Sequence, residues 1–143
     1  LALGLAGGAL ASLAARAAPV EEELRMNRVL FERESAVGTI QVVDFGFAGR
    51  RALLVDSTQQ NEIDVGTGRS LVPFTDYLEA IAYRYAPDAR RALVLGLGAG
   101  VVPRGLARRG IAVDAVDVEP RIAEVARDYF GLPDSVSVEI GDA

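Results

Sequence analysis

The chain contains no cysteine, no histidine, no tryptophan and no lysine. Without cysteine or histidine these residues can form no disulfide, no Cys or His metal site and no imidazole base. Acid–base chemistry then falls to carboxylates and tyrosine. The lack of cysteine leaves the redox compartment open. All fifteen basic residues are arginine and they are outnumbered by twenty acids, for a net charge of −5. That balance argues against nucleic acid as a partner, because a phosphate backbone needs a basic face, and it suits a small cationic substrate. What the chain has in quantity is apolar material, 50% of 143 residues, enough to fill one core. No internal repeat is visible.

The N-terminal residues 1–15 are apolar or small apart from Ser12, and Arg16 closes the run. Three readings stand: the tail of a transmembrane helix, a signal-peptide core ending in small residues, and a buried helix. Fifteen residues fall short of the roughly twenty of a membrane span, while the lack of a preceding basic region counts against a signal peptide. Residues 1–18 are read as the end of a transmembrane helix. Arg16, Arg25 and Arg28 then put the following domain on the cytoplasmic side, attached to the inner membrane. The chain starts on leucine and stops on Gly141-Asp142-Ala143 directly after a strand-like run, so a piece of a longer protein is expected. Residues 19–32 read as a linker helix after Pro19, with Glu21-Glu22-Glu23 in its first turn, where acids suit the positive helix end.

Residues 33–73 read as a small N-terminal β-domain. β-Branched and aromatic residues over 37–47 and 51–56 suggest a hairpin or small antiparallel sheet turning at Gly46-Phe47-Ala48-Gly49. Residues 59–73 read as loop, broken by Gly66-Thr67-Gly68 and Pro73. Thr75 is placed to cap a helix over 76–85, with Leu78, Ile81 and Ala82 at helical spacing and Pro87 beyond its end. Residues 74–143 read as the N-terminal half of a Rossmann-like, class I methyltransferase-type α/β domain with a parallel sheet. The expected elements are strand 92–97, helix 101–109, strand 111–117, helix 120–130 and strand 136–140.

The chemistry gathers at the strand ends. Ala92-Leu93-Val94-Leu95 runs into the turn Gly96-Leu97-Gly98-Ala99-Gly100, and about twenty residues later a second apolar run ends on Asp117. Glycine lets backbone come close to a ligand, and in open α/β sheets ligands sit beyond the carboxyl ends of the strands. Gly96, Gly98 and Gly100 are therefore expected beneath a nucleoside. Asp117, followed by Val118, would accept both ribose hydroxyls, and Asp142, ending the third strand, the adenine amino group. A dinucleotide fingerprint would need glycine at its sixth position, where Val101 stands, so a sulfonium nucleoside is favoured over NAD.

Taken in order, the runs Glu34-Ser35-Ala36-Val37-Gly38-Thr39-Ile40-Gln41-Val42-Val43-Asp44, Leu53-Leu54-Val55-Asp56-Ser57-Thr58-Gln59-Gln60, VLGLGAGVVPRGL, AVDVEP, ARDYFGLP and VEIGDA make residues 33–143 resemble the polyamine aminopropyltransferases, the spermidine and spermine synthases. The nearest likeness is to bacterial spermidine synthase-like proteins with a multi-pass membrane region ahead of the soluble domain. The resemblance implies a small β-domain followed by a methyltransferase-like Rossmann domain. It implies decarboxylated S-adenosylmethionine as co-substrate, no metal, and transfer of an aminopropyl group to an amine such as putrescine. It further implies that Gln60, Asp117 (with Val118), Asp142 and Ala143 contact the cofactor and that Tyr77 contacts the amine. Pairing of subunits is common in the family, which leaves a homodimer open.

Several positions depart from the family pattern. Ala99 stands where the family turn carries an acid for the amine end of the cofactor, Val37-Gly38 replaces a Tyr-Gln pair, and Ser57 replaces a glycine. The family's catalytic aspartates lie beyond the position of Ala143, so this stretch is expected to bind part of a cofactor and to be inactive alone. Two alternatives are kept: a methyltransferase using intact S-adenosylmethionine, and a non-catalytic nucleoside-binding or scaffold domain of a membrane protein.

Overall fold

The computed structural model describes residues 27–142. The apolar run at 1–18, the first part of the expected linker helix and Ala143 lie outside the described residues. Two sheets form: an antiparallel one of four strands in the order β1-β2-β3-β4, and a parallel one of three in the order β5-β6-β7.

The first sheet is a meander of β1 (Asn27–Ser35), β2 (Gly38–Phe45), β3 (Arg50–Val55) and β4 (Thr58–Asp64). Ile40, Val42, Ala52 and Leu53 on the two central strands have no solvent exposure. Burial of this kind drives the sheet, at about 25 cal/mol per Å² of apolar surface. The expected turn at Gly46-Phe47-Ala48-Gly49 is present as a short 3₁₀ turn, Gly46–Ala48, followed by Gly49.

Two expectations are corrected here. Residues 27–32, expected in a linker helix, belong to β1, which pairs with β2 from Asn27↔Phe45 to Ser35↔Gly38. Val29 and Phe31 lie in a strand because β2 offers a full-length partner; tertiary pairing overrides local propensity. Residues 59–64, expected as loop, belong to β4 (Thr58–Asp64). Its run Thr-Gln-Gln-Asn-Glu-Ile-Asp is polar and reads like a loop, but a two-residue hairpin holds it against β3. The turn is Asp56-Ser57, with φ of 47° and 61°, the left-handed pair that a tight hairpin requires. Asn-Gly or Asp-Gly is the recognisable signal for that turn, and Asp-Ser is not. The Asp56 carboxylate steadies it by accepting a 2.8 Å hydrogen bond from the Thr39 amide.

Helix α1 (Pro73–Tyr85) begins three residues earlier than expected. Pro73 takes the first helical position, where no N–H is needed. Thr75 is therefore not the cap: it is buried inside the first turn, and its hydroxyl donates to the Val72 carbonyl at 2.9 Å.

The α/β part follows the expected order. β5 (Arg91–Leu95), α2 (Val101–Arg108), β6 (Ala112–Asp117), α3 (Pro120–Phe130) and β7 (Ser137–Ile140) alternate, with parallel pairing of β5 to β6 and of β6 to β7. Val113 and Ala115 face the helices and are buried with Val125, Ala126 and Phe130 of α3. One hydrophobic cluster includes Ile40, Val42, Leu53 and Ile63 of the first sheet together with Leu97, Val101, Ile122 and Phe130 of the second unit.

Contacts join the antiparallel sheet and the loop after it to the helices of the α/β unit. The Arg51 guanidinium grips the Asp44 carboxylate through Nε at 2.6 Å and a second nitrogen at 3.0 Å, and donates its third contact to the Tyr129 carbonyl at 2.8 Å. Hydrogen bonding to Asp44 raises the Arg51 pKa above its ordinary value. The Tyr129 ring packs against Phe31 with centroids 6.0 Å apart. Buried Arg104 of α2 donates to the carbonyls of Phe130 and Gly68, tying the loop after β4 to the end of α3. Among the described residues no helix is long and apolar enough to cross a membrane.

Candidate functional site

The turn between β5 and α2 is built by left-handed backbone at Gly98 (φ 53°) and Gly100 (φ 69°), conformations that side-chain-bearing residues adopt at a cost. The two glycines serve different needs. A Cβ on Gly98 would meet nothing within 4 Å, so that residue opens onto free space. A Cβ on Gly100 would lie 3.0 Å from Leu132 Cδ1 and 3.3 Å from Ala126 Cβ. Gly100 was expected beneath a ligand. Instead it faces the core, and its smallness lets α2 start close against the end of α3. Gly96 resembles Gly98: a Cβ there would also meet nothing within 4 Å.

Asp117, at the end of β6, holds this turn in place. Its Oδ2 accepts a 2.7 Å hydrogen bond from the Leu97 amide and its Oδ1 a 3.0 Å bond from the Glu119 amide. The Gly96 amide donates to the Val116 carbonyl at 2.9 Å, so the glycine turn is stitched to the carboxyl end of β6 at two points. Each carboxylate oxygen has a second lone pair. Asp117 can therefore brace the turn and accept hydroxyl donors together.

Beside Asp117 stands Glu119, which the sequence reading passed over. It is 4% exposed, caps α3 by accepting from the Arg121 amide at 3.0 Å, and pairs with the Arg121 guanidinium at 3.4 Å. The signal was available: an acid immediately before Pro120 is a common N-cap arrangement.

Gln60 reaches the same place from the other sheet. In the pairing of β3 with β4, Leu53 faces Asn61 and Leu54 faces Gln59, so Gln60 is the extra residue of a β-bulge. Bulges redirect side chains and occur often beside functional sites. Here the bulged Gln60 shares a cleft with Gly98 of the glycine turn. A cleft of about 280 Å³ is lined by Gln60, Gly98, Asp117 and Glu119, with Val37, Leu53, Val55 and Ile122 as its apolar wall. A second cleft of about 230 Å³ shares Gln60 and Gly98 and extends over Gly96, Leu95, Asn61, Phe74 and Leu78.

The structure therefore brings together Gln60, Gly96, Gly98 and Asp117 and leaves other expected residues apart. Val118 is 59% exposed and Tyr77 68% exposed; neither borders the two clefts. Tyr77 lies on the outer side of α1, because the face of that helix bordering the second cleft carries Phe74, Thr75 and Leu78. Asp142 is exposed after the end of β7 and lines neither cleft.

These features suit a nucleoside. The open side of Gly96 and Gly98 leaves room for a close approach, Asp117 offers paired acceptors, and an apolar wall with a few polar groups is the usual composition of a small-molecule site. Cleft size is near the lower end of the range for such sites, about 300 Å³.

No protein-family model matches the chain. A crystal structure of a probable spermidine synthase from Corynebacterium glutamicum superposes with a TM-score of 0.65 and 16% identity, over 80% of this chain and 45% of that one. CalS10, an amino pentose methyltransferase from Micromonospora echinaspora solved with S-adenosylmethionine bound, gives a TM-score of 0.42 and 26% identity over 54% of this chain and 31% of that one. The N-terminal histidine N-methyltransferase of Emericella nidulans is 40% identical over 58 residues, which are 41% of this chain and 10% of that protein. The chain spans less than half the length of each of these proteins. Its fold is Rossmann-like, with a parallel sheet of the class I methyltransferase type, here preceded by a four-stranded antiparallel sheet.

Proposed function

We propose that this protein belongs to a transferase of the spermidine synthase type, which moves an aminopropyl group from decarboxylated S-adenosylmethionine to a small amine such as putrescine. The observation that carries this reading is the cleft shared by the two sheets. Gln60 from the antiparallel sheet meets Gly98 and Asp117 of the α/β unit, and the likeness to the probable spermidine synthase covers 80% of the chain, a share larger than the α/β unit alone.

Asp117 would hold the ribose hydroxyls, the Gly96 to Gly98 backbone would pass beneath the sulfonium end, and Gln60 would close the cleft from above. The cofactor class supplies a carbon activated by a sulfonium leaving group. The chain's part is to fix that group in a cleft walled by Leu53, Val55 and Ile122, where water is displaced and an attacking amine can be held in line. Attachment to a membrane through residues 1–18, a cytoplasmic location and pairing of subunits belong to the same proposal.

A second reading, a methyltransferase using intact S-adenosylmethionine, is favoured by one feature. The cleft over Gly96 has no ionisable side chain in its lining, and Ala99 is buried at 1% exposure, so no carboxylate on the turn awaits a free ammonium. Calorimetric titration of the protein with decarboxylated and intact S-adenosylmethionine in parallel separates the two. Preference of tenfold or more for the decarboxylated form, about 1.4 kcal/mol, supports aminopropyl transfer. Preference for the intact form overturns it in favour of methyl transfer.

A further inference from the structure

Asn61 lies on β4 one residue after the bulge and is 5% exposed. Its side-chain Oδ1 has no hydrogen-bond partner among the described residues. Buried amide oxygens are nearly always paired, and an unpaired one is destabilising. The open space that Asn61 borders is the second cleft, over Gly96 and Gly98. Of the other polar side chains there, the Thr75 hydroxyl donates to the Val72 carbonyl, and Gln60 is exposed, with its amide nitrogen 3.4 Å from the Thr58 carbonyl. The rest of the lining is apolar or backbone, with Phe74, Leu78 and Leu95 as its larger side chains.

We infer that Asn61 is a specificity-determining residue: its side-chain amide accepts an N–H donor on the tail of the ligand whose nucleoside rests on Gly98 and Asp117. This rests on the nucleoside reading of the glycine turn. The ligand class follows from the chemistry of the cleft. A tail of a few carbons lies along Phe74 and Leu78, and its terminal ammonium or amine meets a neutral acceptor instead of a carboxylate. The amide recognises the donor through a directed hydrogen bond in an apolar setting, where such bonds are stronger than in water.

The test compares two ligands that share the nucleoside: decarboxylated S-adenosylmethionine, which carries an amine tail, and 5′-methylthioadenosine, which does not. Each is titrated calorimetrically against the wild-type protein, Asn61→Leu and Asn61→Asp. Asn61→Leu is expected to raise the Kd of the amine-tailed ligand at least tenfold and to leave that of methylthioadenosine within twofold. Without ligand the same variant should unfold at or above the wild-type temperature, since it removes an unpaired amide. Asn61→Asp, which keeps an acceptor, should bind the amine-tailed ligand at least as tightly as wild type. Equal weakening of both ligands, no weakening of either, or a clearly lower unfolding temperature for Asn61→Leu overturns the assignment of Asn61. Failure of the wild-type protein to bind methylthioadenosine overturns the nucleoside reading itself, and this inference with it.

Discussion

Replacing Asp117 with asparagine separates its bracing role from simple surface charge. The carboxylate accepts from two backbone amides, Leu97 at 2.7 Å and Glu119 at 3.0 Å. Asparagine has one oxygen and one NH2, so it can accept from only one of them while its NH2 confronts the other. Hydrogen bonds to charged groups contribute about 1.5 to 3 kcal/mol each, and neutral ones about 1. Loss of one and weakening of the other comes to roughly 2 kcal/mol for this half-buried site. For a protein of this size that corresponds to a fall in Tm of roughly 5 to 10 °C. The control is Asp114→Asn three residues earlier on β6, where the partner is Arg91 at 2.9 Å and the two side chains are 47% and 78% exposed. Such an exposed pair contributes at most about 1 kcal/mol. Thermal melts by circular dichroism, without ligand, should show a large drop for Asp117→Asn and a shift of no more than a few degrees for Asp114→Asn. A melt for Asp117→Asn within about 2 °C of wild type, on the same scale, would refute the idea that this carboxylate holds the glycine turn.

Three further outcomes are expected. Gly98→Ala forces a side chain into left-handed backbone at a cost of about 1 to 2 kcal/mol, with nothing within 4 Å to obstruct it; it should fold but bind nucleoside poorly, whereas Gly100→Ala adds contact with Leu132 and should lose more stability in a denaturant melt. Arg51→Met removes the two-point grip on Asp44 and the bond to the Tyr129 carbonyl, and should lower unfolding free energy by about 2 to 4 kcal/mol, read from the urea midpoint. Burial raises the Glu79 pKa above the ordinary glutamate value, against the opposing pull of Arg109. The folded state therefore holds that proton more tightly than the unfolded chain, so stability falls as pH rises through the raised value. Glu79→Gln should be more stable than wild type at pH 7, with the difference vanishing below the ordinary glutamate range in melts run across pH.

The α/β half was legible because its signals are local. Leu93 to Leu95 before a glycine turn, Pro120 at the first position of α3 and Gly131 after its last turn are punctuation that needs no tertiary knowledge, and each expected element lies within about two residues of its observed bounds. β1 and β4 were misread for the opposite reason. Thr58-Gln59-Gln60-Asn61-Glu62 carries no apolar alternation, and only pairing with buried Leu53 and Ala52 makes it a strand. The same misreading concealed that Asn61 is buried at the border of the second cleft. Gly98 and Asp117, expected from the strand-end motifs, and Gln60, expected from the family resemblance, line one cleft, while Gly100 packs against Leu132 and Tyr77 faces outward, distinctions that depend on where neighbouring elements lie.

The central claim is that the cleft joining β4 to the glycine turn holds a sulfonium-type nucleoside. Its most direct test is titration of 5′-methylthioadenosine into isotopically labelled protein while backbone amide resonances are followed. The account predicts saturable shifts at Leu97, Gly98 and Glu119, with the amides of Glu32 and Gln41, in the paired strands β1 and β2, unmoved. Shifts confined to other regions, or none at millimolar ligand, would contradict it.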